Sequence, residues 1–270
     1  MQNTRSARKR RPPTPGSQAK PQRAEGVQAI ARAGSVLRAL ERHPPGLALG
    51  ELARAVELPK STVHRLVGAL SAEELVGTDA TGRIVLGGAL ARLGAAGSHA
   101  LQDELRPLLL GLREELGETV DLAVLDGGRM RFVEQLPAAH RLRAVSAVGA
   151  RFPLHCTANG KAFLAALPPD RATALLPERL ERYTPQTIVA RAKLLRELEQ
   201  VRARGVAIDR EEHTEGISAV GAAVLGPLGP LAAISVPVPT ARFHGGEQRY
   251  AGAVRRAARE AAALLGDGRP

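Results

Sequence analysis

Between Leu49 and Leu70 the apolar positions Leu52, Ala53 and Val56, then Val63, Leu66, Val67 and Leu70, recur at helical spacing in two short runs. Glu57-Leu58-Pro59 interrupts them. Proline fits the first turn of a helix, so Pro59 closes off the first run and opens the second. Gly50 stands at the start of the first helix, an acceptable cap. The pattern predicts a helix-turn-helix with Lys60, Ser61, Thr62, His64 and Arg65 at or near the N-terminal end of its second helix. A recognition helix presents side chains to the major groove there. An ordinary helical hairpin with a solvated polar face has the same pattern.

The flanks decide between the two. Residues 27–42 form a helical pattern through Val27, Ile30, Val36, Leu37 and Leu40, weakened by Gly34 and ended by His43-Pro44-Pro45-Gly46. Beyond the motif, residues 75–78 and 83–86 are apolar-rich runs about the turn Asp79-Ala80-Thr81-Gly82, which predicts a hairpin. Helix, helix-turn-helix, hairpin is the order of a winged helix, and Arg83 at the hairpin tip is placed for a phosphate or the minor groove.

Residues 87–116 are leucine-rich and helical, divided by Gly94, Gly97 and Pro107 into a linker helix and the first helix of another domain. Strands are predicted over 119–125, 130–136, 142–148, 206–208, 217–225 and 231–238, with a hairpin turn at Asp126-Gly127-Gly128-Arg129. Helices are predicted over 158–167, 189–204 (capped by Gly205) and about 247–265. The fold class is α+β, an antiparallel sheet with helices beside it. The domains read as a basic disordered tail (1–25), a winged helix-turn-helix (26–88), a linker helix (89–104) and a second domain (105–266).

Charge adds less than its total suggests. The formal charge is +11, but residues 1–25 hold seven Lys/Arg against Glu25 alone, whereas residues 26–88 carry seven basic and six acidic groups. The tail is too polar to offset its ordering entropy and is expected to be disordered; non-specific contact with DNA phosphates is one role for it, and simple solvation is the favoured one. The candidate DNA-binding region is nearly neutral, so a high pI says nothing of its surface. A single cysteine, Cys156, excludes an internal disulfide framework and suits a reducing cytoplasm. No signal-type apolar stretch follows the basic N-terminus, and the uncharged run 219–241 is broken by glycines and prolines, which suits strands rather than a membrane span.

Catalytic readings are weak. His155-Cys156 are neighbours that a strand would point to opposite faces, whereas a nucleophile and base meet from separate segments. Asp209 with Glu211-Glu212-His213 lacks a second histidine at ligand spacing, which favours a solvated loop with one buried acid over a metal site. Gly127-Gly128 is a turn, and Asn159-Gly160-Lys161 lacks the upstream glycine of a phosphate loop. No metal, cofactor or catalytic residue is expected. A small-molecule enzyme or sensor whose winged helix makes protein contacts is the competing class.

Five segments resemble the IclR family of bacterial transcription regulators: ELARAVELPKSTVHRLV (51–67), GRIVLG (82–87), ETVDLAVLDGG (118–128), PLHCTANGKAFLAALP (153–168) and RGVAIDREEHTEGISAVGAAVLGPLGPLAAISV (204–236). The resemblance implies a winged-helix domain joined by a helix to a GAF-like effector domain. It also implies dimers or tetramers on palindromic operators under a small-molecule effector, most often as repressors. Ser61, Thr62 and His64 would meet base edges or nearby phosphates, and Lys60, Arg65 and Arg83 the backbone. The effector pocket would form where Ala158, Asn159 and Gly160 meet Asp209, Ile217, Ala219 and Ser235, with Val220 and Val236 as further apolar walls. A helix start there offers N–H groups to an anion. Ala219 and Pro237 replace a cysteine and a serine of members that bind small oxo-acids, so an aromatic effector is as well suited as a short carboxylate. Glu57 stands where the family usually has glycine.

Overall fold

The structure is a computed structural model and describes residues 21–144 and 146–266. Most of the tail predicted over 1–25 lies outside them. The chain divides into two compact units, Met1–Ala95 and Ala96–Pro270.

In the first unit, α1 (Pro21–Arg42) starts earlier than the predicted Val27. Its buried stripe is Val36, Ala39 and Leu40, while Ile30, expected on the apolar face, is 75% exposed. Next come α2 (Leu49–Ala55), α3 (Lys60–Ala72), β1 (Val76–Thr78) and β2 (Ile84–Leu86). Ala48, not Gly50, is the N-cap of α2, and its N–H donates to the Glu51 carboxylate at 2.9 Å. Strands β1 and β2 pair antiparallel, and Leu47 adds two backbone hydrogen bonds to Ile84. Leu47, Leu52, Val63, Leu70, Val76 and Ile84 join the α1 stripe in one core.

Both helices of the motif end alike. After α2, Glu57 N–H donates to Arg54 O and Leu58 N–H to Ala53 O; after α3, Glu74 N–H donates to Ser71 O and Leu75 N–H to Leu70 O. This paired closure is a Schellman motif, whose turning residue adopts the left-handed conformation and is usually glycine. Here Glu57 (φ 54°) and Glu74 (φ 55°) occupy it. A side chain in that region costs about 1 kcal/mol. Glu57→Gly is therefore expected to stabilise the first unit by about 0.5–1 kcal/mol in chemical unfolding. A loss of stability would show that the Glu57 side chain contributes more than its strain.

Helix α4 (Gly88–Leu116) is continuous, not divided at Gly94, Gly97 and Pro107 as predicted. Pro107 is exposed, so water reaches the carbonyl deprived of its partner, and the buried Leu105, Leu109, Leu112 and Leu116 hold one face across it. The second unit continues with β3 (Val120–Asp126), β4 (Arg129–Leu136), β5 (Arg151–Pro153), α5 (Ala158–Ala166), α6 (Pro169–Ala174) and α7 (Arg191–Arg204). Then follow β6 (Ala207–Arg210), β7 (Ile217–Gly226), β8 (Gly229–Pro239), α8 (Thr240–Phe243) and α9 (Glu247–Gly266). The six strands form one antiparallel sheet in the order β5-β4-β3-β8-β7-β6. Gly127 and Gly128, both at positive φ, make the tight β3–β4 turn.

The predicted strand at 142–148 does not form; Leu142 and Val148 are exposed, and the short β5 pairs with β4 instead. The 2.0-residue period sorts the sheet's faces. Leu122, Val220, Ile234 and Val236 pack with α4 and α9, whereas Ala123, Ala207 and Ala233 pack with α5 and α7. Small residues on the second face let α5 lie close. A Cβ on Gly221 would come within 2.6 Å of the Ala158 backbone.

Candidate functional site

On α3, Val63 and Leu70 are buried while Lys60, Ser61, His64 and Arg65 are exposed and Thr62 is half-buried. The helix thus presents the predicted polar residues on its outer face and first turn. Pro59 caps it through its carbonyl, which accepts from the N–H groups of Thr62 and Val63. Arg83 is placed differently from expectation. Its Nη2 donates to Glu51 at 2.8 Å and its Nε to Gly46 O at 3.0 Å, so it ties the hairpin to α2 instead of reaching outward from the tip. The Ala48 N–H and the Arg83 guanidinium hold the Glu51 carboxyl below its ordinary range. At the hairpin turn, Asp79 accepts from the Thr81 hydroxyl and from the N–H groups of Thr81 and Arg83, which keeps its carboxyl ionised.

In the second unit, α5 starts over the sheet and leaves a cavity of about 110 Å³. Ala158, Asn159, Asp209, Ile217, Ala219 and Ser235 line it, as expected from the resemblance. Gly160 does not. Its N–H is held by Thr157 Oγ1 and Asn159 Oδ1, and a Cβ there would come within 2.5 Å of Leu154 O. Val220 and Val236 also miss the cavity, because the alternation that turns Ala219 and Ser235 inward turns their neighbours into the opposite core.

Sequence reasoning missed Asp121, Phe132, Ser146, Phe152 and His213, which also line the cavity. Asp121 lies beside Ser235 across the β3–β8 pair and accepts from Gln135 Nε2 at 3.0 Å and Ser146 Oγ at 2.9 Å. Burial pushes its carboxyl up to about 7. Burial, helped by the nearby Glu212 charge, does the same to Asp209, also to about 7. His213 is stacked between Phe152 (4.2 Å) and Tyr183 (5.1 Å), and burial lowers its pKa, favouring the neutral ring. Alternation in β3 was the available signal for Asp121: it shares the face of Ala123, opposite Leu122.

The Asp209–His213 segment is not the solvated loop with one buried acid that was expected. Glu212 is buried as well, with its Oε1 2.5 Å from Nζ of the fully buried Lys161. Lys161 also donates to Ile208 O at 2.6 Å, and Thr184 and Thr187 hold the carbonyls of Glu211 and Glu212. No cluster of metal-ligating residues occurs among the described residues.

Comparison with known proteins agrees with this architecture. Residues 29–80 match the IclR helix-turn-helix domain, and residues 94–263 match the bacterial transcriptional regulator IclR C-terminal domain. The chain belongs to the IclR family of transcriptional regulators. It is 49% identical over 233 residues to the HTH-type transcriptional regulator Rv1719 of Mycobacterium tuberculosis, covering 86% of this chain and 90% of the relative. With the regulator TtgV of Pseudomonas putida it shares 40% identity, covering 72% and 75% respectively. The crystal structure of Thermotoga maritima IclR superposes with a TM-score of 0.60 at 27% identity, covering 89% of this chain and 99% of that one.

This IclR-family chain is accordingly a DNA-binding regulator rather than an enzyme, and its chemistry fits. Cys156 is buried, and burial raises its thiol pKa, so it offers no thiolate nucleophile. The neighbouring His155 donates to or accepts from nothing on Cys156 but bonds Glu181 O at 2.8 Å. A larger groove of about 390 Å³, near Ala162, Val201 and Ala258, has largely apolar walls rich in alanine, with its arginines exposed. No helix among the described residues is long and apolar enough to cross a membrane.

Proposed function

We propose that the protein is a cytoplasmic, effector-controlled repressor that binds a pseudo-palindromic operator as a dimer or tetramer. The observation that carries this reading is the joint presence of an exposed polar α3 face and, in the second unit, a small cavity lined by converging polar side chains. The domains follow the family plan: winged helix (26–88), linker (89–104) and effector-binding unit (105–266). Two recognition helices in a dimer would lie about 34 Å apart, one turn of DNA. Ser61, Thr62 and His64 would read base edges or adjacent phosphates, and Lys60 and Arg65 would hold the backbone. Arg83, tied to Glu51, would set the angle of the wing.

The effector would be a small organic molecule held by Asn159, Asp209 and Ser235. Its effect on DNA binding is limited by its differential affinity for the two states of the protein. A thermal-shift screen of aromatic and aliphatic compounds, followed by footprinting of the upstream intergenic region, tests the reading as a whole. Arg65→Ala is expected to weaken operator binding about tenfold in a gel-shift assay, as loss of a phosphate contact should, with assembly in gel filtration unchanged. Unchanged affinity would remove Arg65 from the interface. Asn159→Ala and Asp209→Ala should abolish the response to effector while DNA binding persists.

A further inference from the structure

We infer that the cavity selects an uncharged, hydroxyl-bearing single-ring compound whose hydroxyl donates to Asp121, and that it discriminates against carboxylates. The inference rests on the reading of this cavity as the effector site. The ionisable side chains facing it are Asp121 from β3, Asp209 from β6 and His213 from the following segment. No lysine or arginine lines it among the described residues. Lys161, the nearby buried cation, is committed to Glu212 and Ile208 O.

A carboxylate ligand would enter between two acids with no cation to balance it, which is unfavourable in a desolvated site. At the start of α5 the Gly160 N–H is already taken by Thr157 and Asn159, which leaves the N–H groups of Ala158 and Asn159 as the counterweight to two acids. Asp121 is held as an acceptor. One oxygen takes the Gln135 amide and the other takes Ser146, and each retains a lone pair. A ligand O–H can use one of these without adding charge.

The walls specify a ring. The whole chain has four Phe and two Tyr. Phe132 and Phe152 line this cavity, packed edge to face at 4.9 Å, and Tyr183 backs His213. A volume of about 110 Å³ is also on the scale of one ring, since an apolar cavity of roughly 150 Å³ holds benzene.

The test is calorimetric titration of the full-length protein with phenol, benzoate and toluene at about pH 8.5, where Asp121 is ionised and phenol is still neutral, in wild type and Asp121→Asn. Phenol is expected to bind at least tenfold more tightly than either benzoate or toluene. In Asp121→Asn, which keeps the shape but loses the charge, the phenol-to-benzoate ratio should fall to within about threefold. Tighter binding of benzoate by the wild type, or a ratio unchanged by the substitution, would overturn the inference. If benzoate both binds more tightly and releases operator DNA, the effector reading stands and this inference alone falls. If none of the three binds, this inference again falls, while the effector reading is judged separately by the compound screen and footprint above.

Discussion

Lys161→Met is expected to destabilise the second unit by about 3–5 kcal/mol, read as a shifted urea midpoint in far-UV circular dichroism. The lysine is fully buried, with Glu212 and the Ile208 carbonyl as hydrogen-bonding partners and Glu197 at 3.7 Å. Glu212 Oε2 already has no hydrogen-bond partner. Removing the ammonium would leave a buried carboxylate facing a carbonyl with nothing to balance either. Met keeps most of the side-chain volume, so a cavity cannot account for the loss. The double variant Lys161→Met/Glu212→Gln should recover much of it, because the stranded charge is then gone. A single-variant loss below about 1 kcal/mol would show that the Lys161–Glu212 pair contributes little to the fold.

The second large effect is on pH dependence, and its direction is unusual for carboxylates. Asp121 and Asp209 have native pKa values raised to about 7, against an ordinary 3.8. Between those values the native state holds protons that the unfolded chain has released. Stability of the second unit should therefore be highest near the acid end of that window and fall as pH rises through 7. The slope approaches about 1.4 kcal/mol per pH unit for each group. Urea unfolding at fixed pH values from about 5 to 8 checks this, and Asp121→Asn should flatten the decline. A curve that rises over this window would mean that both acids are stabilised as anions. The first unit contributes in the opposite sense. Glu51 and Asp79, with lowered pKa values, favour folding above the ordinary carboxylate range and lose that contribution as the pH falls through their native values.

Much of the architecture was legible along the chain. The period of Leu52, Ala53, Val63 and Leu70 located both helices of the motif, and Gly127-Gly128 located a hairpin. Pro107 misled because its cost depends on which side of the helix it occupies, and here it faces water. The 142–148 segment misled because its apolar residues Leu142 and Val148 face solvent, while Ala144 and Ser146 turn in toward the cavity. Arg83 could be placed near the wing, but its partner Glu51 is distant in sequence and belongs to another element. The site was half legible. The resemblance indicated Asn159, Asp209, Ala219 and Ser235, yet Val220 and Val236 were assigned to the wrong face although strand alternation alone separates them.

By itself, then, the sequence determined the winged helix-turn-helix, the polar outer face of its second helix, the α+β second unit and the family to which both belong. These follow from short-range periodicity and turn chemistry, which neighbouring residues carry. Only the tertiary structure decided that Asp121 faces Asp209 across one cavity, that Lys161 is buried against Glu212, and that Arg83 turns inward to Glu51. Each of these depends on strands or helices distant along the chain meeting at particular registers. Burial, which moves the carboxyl pKa values and encloses Lys161, is a property of that meeting and of no single segment.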